Sequence, residues 1–139
     1  MRVSDIMTPK VELVSPEVTI QEAAKIMRDG NIGALPVGED DRLIGMVTDR
    51  DITCRAVADG SDPAKTIIRD IVSKKITYCF DDQDVADAAH LMEEKHIRRL
   101  AVLNRKKRLV GFLSVDDVTR CSHNLAGEVL EAVSHRPCH

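Results

Sequence analysis

The chain has 139 residues, enough for one compact domain or two small ones that share a core. It is 43% hydrophobic and 31% charged, a globular composition, but its rings are only Tyr78, Phe80 and Phe112, too few for stacking platforms that grip nucleic acid. Net charge is -3, placed as -4 over residues 1–68 and +1 over 69–139, which lacks the positive excess of a duplex binder.

In chain order the same pattern is written twice. At an offset of 65, residues 4–37 lie over 69–102: Asp5-Ile6 on Asp70-Ile71, Ala23-Ala24 on Ala88-Ala89, Met27 on Met92 and Val37 on Val102. One extra residue then enters the second copy, so Leu43, Gly45, Asp51 and Thr53 fall on Leu109, Gly111, Asp117 and Thr119. Each copy opens with a short extended piece, VELV (11–14) or ITYCF (76–80). A helix follows, with Thr19 and Glu22, then Asp84 and Asp87, at capping-box spacing. Its apolar stripe is Ile20, Ala23, Ala24 and Met27, repeated as Val85, Ala88, Ala89 and Met92. Strands are expected at GALPV (33–37) and RLIGMV (42–47), and again at RRLAV (98–102) and RLVGFL (108–113). A last helix runs from Asp49 to about Ala58 and stops at Gly60, with its counterpart starting near Val115.

The expected fold class is therefore α/β (α+β), two copies of strand-helix-strand-strand-helix. A single copy is too small to bury its apolar face alone, so the two are expected to pack about a pseudo-twofold axis. Repeat one is placed at 1–62, with 59–68 as linker, repeat two at 69–122, and a helical tail at 123–139. Residues 59–71 read as the hinge between the copies. In the tail, Leu125, Val129, Leu130 and Val133 form an apolar stripe that suits packing on the core or on a partner subunit.

The most informative repetition is a corner. GMVTDRDI (45–52) and GFLSVDDV (111–118) each end a strand on a hydroxyl residue, with Asp three places later inside a helix. Thr48 and Ser114 suit helix capping, and Asp51 and Asp117 suit the positive end of a helix. The same atoms suit a ligand: a helix start presents N–H groups and a hydroxyl to an anion, and an Asp can accept from a vicinal diol. Val47, Met46 and Leu113 are placed to flank a purine. Copy two carries Arg98-Arg99 where copy one has Gly33-Ala34. A guanidinium fork suits phosphate oxygens, and an exposed strand position or an ion pair suits the same two residues equally.

From about Val3 to Ser122 the chain resembles a tandem CBS-domain pair, the Bateman module, and in layout the small stand-alone bacterial proteins of that family. The resemblance rests on DIMTPKVELVSPEVTIQEAAKIM, IGALPV and LIGMVTDRDI, then on HIRRLAV and LVGFLSVDDV. It implies adenosyl-ligand binding (AMP, ADP, ATP, NAD or S-adenosylmethionine) in crevices between the copies. The ribose roles fall on Asp51 and Asp117, with Thr48 and Ser114 assisting at ribose or phosphate. It further implies that each crevice borrows the first strand of the other copy. Thr8, Lys10 and Val11 then lie near Asp117, Lys75 and Ile76 near Asp51, and Arg98 and Arg99 on the Asp117 side. Copy one has Arg50 or Lys75 to recruit, and an uncharged adenosyl compound or an empty site fits it as well. A homodimer with four CBS units in a disc is the family expectation, with the signal leaving through an unidentified effector protein or through oligomeric state. The competing reading is a structural or interaction module that keeps the fold without a working nucleotide site.

Other candidates carry less. No Walker loop, GxSxG or HExxH is present, so no enzyme is expected and no cofactor is obligatory. Glu39-Asp40-Asp41 reads as a solvated turn and Lys106-Lys107-Arg108 as another; the first does not fit a calcium loop. His123, His135, Cys138 and His139 match no zinc spacing, and no metal site is assigned. His90 and His96 flank a helix end without a special role. Cys54, Cys79, Cys121 and Cys138 form no CxxC pair, and neither a signal segment nor a membrane-length apolar run is written. A reduced, cytoplasmic protein without membrane or nucleic-acid partners is expected.

Overall fold

The computed structural model describes residues 1–9, 13–40 and 42–134. In chain order the elements are α1 (Val3–Ile6), β1 (Thr8–Pro9), α2 (Ile20–Gly30), β2 (Ala34–Glu39), β3 (Arg42–Thr48) and α3 (Asp49–Asp51). A π-helix (Ile52–Val57) and a 3-10 turn (Ile68–Asp70) follow. The chain continues with β4 (Tyr78–Phe80), α4 (Val85–Lys95), β5 (Arg99–Leu103), β6 (Leu109–Ser114), α5 (Val115–Thr119) and α6 (His123–Ser134). The mixed α/β fold of two repeats is thus present.

The chain divides into two compact units that do not coincide with the sequence repeats. One joins Met1–Val11 to Thr77–His139; the other is Glu12–Ile76. Each unit therefore takes its opening segment from ahead of the other repeat.

In the repeat-two unit the sheet order is β1-β6-β5-β4. β1 lies antiparallel on β6 with Thr8 opposite Phe112, β5 and β6 form an antiparallel pair, and β4 runs parallel to β5 with Cys79 opposite Val102. Its core collects Val3, Met92, Leu100, Val102, Leu113 and Val118, closed on one side by Ala126, Val129 and Val133 of α6. The tail stripe therefore covers its own repeat. Leu130 is the exception; it stays 43% exposed.

In the repeat-one unit only β2 and β3 reach strand length among the described residues. The flanking positions survive as single bridges: Met46 with Ser73, antiparallel, and Val14 with Val37, parallel. These are the counterparts of Phe112–Thr8 and Val102–Cys79, so the register is kept while the strands shorten. Of the expected opening strand VELV, Val14 makes that one bridge and Leu13 no ladder pair, while Val11 and Glu12 lie outside the described residues. Both repeats also shift register at the same place, after Val37 and after Val102.

The helix boundaries follow local chemistry. Thr19 accepts a hydrogen bond from the Glu22 N–H at 3.1 Å. Asp84 accepts instead from Ala86 N–H at 3.1 Å, so the expected Asp84–Asp87 box does not form there: the shorter Asx turn takes the carboxylate. Asn31 and His96, at equivalent positions, end α2 and α4 in the left-handed region with φ of 51° and 55°. The hinge expected over 59–71 is firmly held at its second half. Ile68 is fully buried, Ile67 bridges to Thr19, and Arg69 donates to Glu17 and Glu39, both at 2.6 Å. The run Ile67-Ile68 with Ile71-Val72 is apolar, and burying it is worth more than leaving it a free linker. The expected final helix of repeat one also changes type: a single α turn at Asp49–Asp51 passes into the π-helix, and the chain turns at Gly60 with φ of 74°.

Candidate functional site, the two capped corners

The structure builds both corners the same way, and in both the hydroxyl and the acid cap the helix. Thr48 Oγ1 accepts from Asp51 N–H at 3.1 Å, while Asp51 Oδ2 accepts from Thr48 N–H at 2.9 Å. Ser114 Oγ accepts from Asp117 N–H at 3.2 Å, and Asp117 Oδ2 from Ser114 N–H at 3.0 Å. These are reciprocal capping boxes with an Asp in place of the usual Glu or Gln. The next N–H is also taken: Asp49 donates to the Gly33 carbonyl and Val115 to the Arg98 carbonyl, each at 2.9 Å. The expected anion cradle of free N–H groups is therefore largely occupied by the protein itself, because Gly33 just ahead of β2 and Arg98 just ahead of β5 supply carbonyl acceptors.

What remains available is on the carboxylates. Oδ2 uses one acceptor position in the box, and an ionised carboxylate has about four. Oδ1 of Asp51 faces Arg55 Nε, and Oδ1 of Asp117 faces Arg120 Nη1, both at 3.8 Å, beyond hydrogen-bond length. Asp117 is only 4% exposed, yet it carries this charge with one box and one loose ion pair. Nothing in the repeat pattern singles out Arg55 and Arg120, since they do not occupy equivalent positions.

The resemblance implies that opening-segment residues lie near the corners. Thr8 sits opposite Phe112, two residues before Ser114, in the unit that holds Asp117. Lys75 and Ile76 follow the Ser73–Met46 bridge in the unit that holds Asp51; Lys75 is exposed and Ile76 half-buried. Lys10 and Val11 lie outside the described residues. Val47 and Leu113 are fully buried, so they support the corner from the core side, and only half-buried Met46 of the apolar group keeps exposed surface.

A glycine explains each close approach. A Cβ on Gly111 would stand 2.5 Å from the Thr8 carbonyl oxygen, and one on Gly45 would stand 2.5 Å from the Ser73 carbonyl oxygen. Only a residue without a side chain lets the opening segment lie against the last strand. The equivalence of Gly45 and Gly111 in the two copies was the available signal.

Arg98 and Arg99 divide the corners. Both are exposed, Arg99 lies opposite Ser114 across β5 and β6, and neither forms an ion pair among the described residues. Arg99 opens β5 and Arg98 precedes the strand, and β4 pairs with β5 only from Ala101 onward, so both arginines stand at an exposed end of the sheet. In repeat one Ala34 lies opposite Thr48, and no cation stands in that place.

A solvent-open depression of about 270 Å³ lies at the α5–α6 junction, lined by Thr119, Arg120, Cys121, Ser122, His123 and Asn124. It shares Arg120 with the Asp117 corner and contains neither Ser114 nor Asp117. Among the described residues no helix is long and apolar enough to cross a membrane.

Comparison with known proteins agrees with this architecture. The family model for the CBS domain matches residues 3–56 and again 68–124. The chain is 40% identical to the CBS domain-containing protein YhcV of Bacillus subtilis over 139 residues, covering 99% of this chain and 98% of that protein. Among solved structures, the CBS domain protein PAE2072 from Pyrobaculum aerophilum complexed with AMP is 28% identical with a TM-score of 0.78, over 94% of this chain and 99% of that one. The CBS domain pair of protein MJ0100, in complex with 5-methylthioadenosine and S-adenosyl-L-methionine, is 28% identical with a TM-score of 0.77, over 86% and 94%. The CBS domain is a non-catalytic module, and with two matched copies in one chain this protein belongs to the CBS-domain family as a tandem pair.

Proposed function

We propose that the protein is a regulatory sensor that binds an adenosyl ligand at its capped corners, with the Asp117 corner taking the phosphate-bearing forms (AMP, ADP, ATP or a dinucleotide). The observation that carries this reading is the buried Asp117 carboxylate, with Oδ1 outside any hydrogen bond among the described residues, in the corner whose Ser114 lies opposite Arg99; neither Arg98 nor Arg99 forms an ion pair among those residues. A ribose diol donates to Oδ1, and the arginines neutralise phosphate oxygens that the occupied N–H groups do not serve. The AMP-bound and S-adenosylmethionine-bound relatives support the ligand class. At the Asp51 corner, with no arginine opposite Thr48, an uncharged adenosyl compound is the better fit. Ligand binding moves the arginine-bearing strand and the opening segment together, and so shifts a population of conformations. A homodimer and an effector protein that reads it complete the proposal.

The test is isothermal titration of nucleotide-stripped protein with AMP, ATP, NAD and S-adenosylmethionine. Asp117→Asn keeps a capping oxygen but loses the charge, so it is expected to fold and to lose about tenfold or more in affinity, the worth of a charge-assisted hydrogen bond. Arg98→Ala with Arg99→Ala is expected to weaken AMP and ATP and to leave S-adenosylmethionine unchanged. Silence with all four ligands from folded protein favours the interaction-module reading.

A further inference from the structure

We propose that His90 and Glu93 of α4 together with Glu128 of α6 form a site for a first-row divalent metal ion, Zn²⁺ by preference, which pins α6 to the core helix of repeat two. This inference is independent of the nucleotide reading. The imidazole nitrogen and one carboxylate oxygen from each Glu all lie within 4.8 Å of one another. Two tetrahedral ligands on zinc stand about 3.3 Å apart, given bonds of about 2.0–2.2 Å, so rotation of the exposed His90 and Glu128 toward half-buried Glu93 closes the set. His90 and Glu93 share a helix face at a spacing of three residues, and Glu128 precedes Val129, one of the residues that packs α6 onto the core.

None of the three side chains has a hydrogen bond or an ion pair among the described residues. Two carboxylates thus face each other with no Lys or Arg between them, a repulsion that a bound cation relieves. The duplication supplies an internal contrast. The positions of His90 and Glu93 are Lys25 and Arg28 in repeat one, two cations where repeat two has an imidazole and a carboxylate. The ligand pair is therefore particular to the helix that α6 meets. One imidazole with two carboxylates fits Zn²⁺ and its first-row neighbours better than Ca²⁺ or Mg²⁺, which take oxygen ligands. Three protein ligands leave a position for water.

The metal-stripped full chain is titrated with Zn²⁺ alone, and amide exchange is followed over residues 123–134. One equivalent is expected to bind and to slow exchange in α6. His90→Gln and Glu128→Gln are each expected to weaken binding by about tenfold or more and to abolish the protection. His135, Cys138 and His139 lie outside the described residues and are metal-ligand types, so a variant carrying His135→Gln, Cys138→Ser and His139→Gln is run beside them and is expected to bind like wild type. No saturable binding, binding that survives both His90→Gln and Glu128→Gln, or binding lost only in the tail variant overturns the proposal.

Discussion

The two repeats reach the same corner by the same chemistry and then diverge at the next turn of chain. After Asp51 the helix widens into a π segment, and Arg55 leans across it to donate to the Ile71 carbonyl at 3.2 Å. After Asp117 the helix stays α, stops at Thr119, and hands over to α6. The consequence appears on the neighbouring helix. Ile26 and Ile32 of repeat one are 40% and 46% exposed, whereas their counterparts Leu91 and Ile97 pack against the core that α6 closes. A duplicated motif thus guarantees a duplicated cap but not a duplicated environment. The covering element, and with it the charge at Lys25/Arg28 against His90/Glu93, is free to differ.

The sharpest way to break the comparison is at its most symmetric point. Gly45→Val and Gly111→Val force side chains into the Ser73 and Thr8 carbonyls, and each is expected to lose about 3 kcal/mol or more in urea unfolding. A harmless Gly45→Val beside a disruptive Gly111→Val would show that only repeat two depends on its opening segment. Next are the equivalent core methionines. Met92 is fully buried and Met27 is 7% exposed, so Met92→Ala is expected to cost about 3–4 kcal/mol and Met27→Ala about 2–3, read from the same unfolding curves. Equal losses would mean that α6 adds nothing to the packing of α4.

Smaller effects sharpen the corner itself. Thr48→Ala and Ser114→Ala each remove one half of a capping box, at about 1 kcal/mol apiece. A clear excess at Ser114 would mean that the five-residue α5 leans on its cap more than the π-extended helix does. The smallest effect concerns the thiols. Burial pushes the Cys79 thiol up to about 11, while Cys54 is exposed, so a thiol reagent at neutral pH is expected to label Cys54 and to spare Cys79. The folded state holds the Cys79 proton more tightly than the unfolded chain does. Its contribution is therefore full below the ordinary thiol value near 9 and falls away as pH rises toward 11. Cys79→Ala flattens that alkaline slope in a pH series of unfolding midpoints.

Much of this was legible in advance because it is local or repeated. The stripe of Ala23 and Met27, the hydroxyl before Asp51 and Asp117, and the tail stripe of Val129 and Val133 each specify their element through spacing alone. The rest depends on partners distant in sequence. That Ile67 to Ser73 belongs to the repeat-one unit follows from the burial of Ile68 and from the acids at Glu17 and Glu39, which no window around residue 68 contains.

By itself, then, the sequence determined the two-repeat plan, the helix starts and the identity of the corner, because periodicity, capping and duplication act over a few residues or by direct self-comparison. Only the tertiary structure decided which unit each opening segment joins and that the corner N–H groups are already bonded. It also decided that Arg98 and Arg99, at the start of β5, form no ion pair among the described residues, and that α6 brings Glu128 to His90 and Glu93. Each of these is a meeting of residues far apart along the chain, fixed by burial and hydrogen bonding that no local pattern encodes.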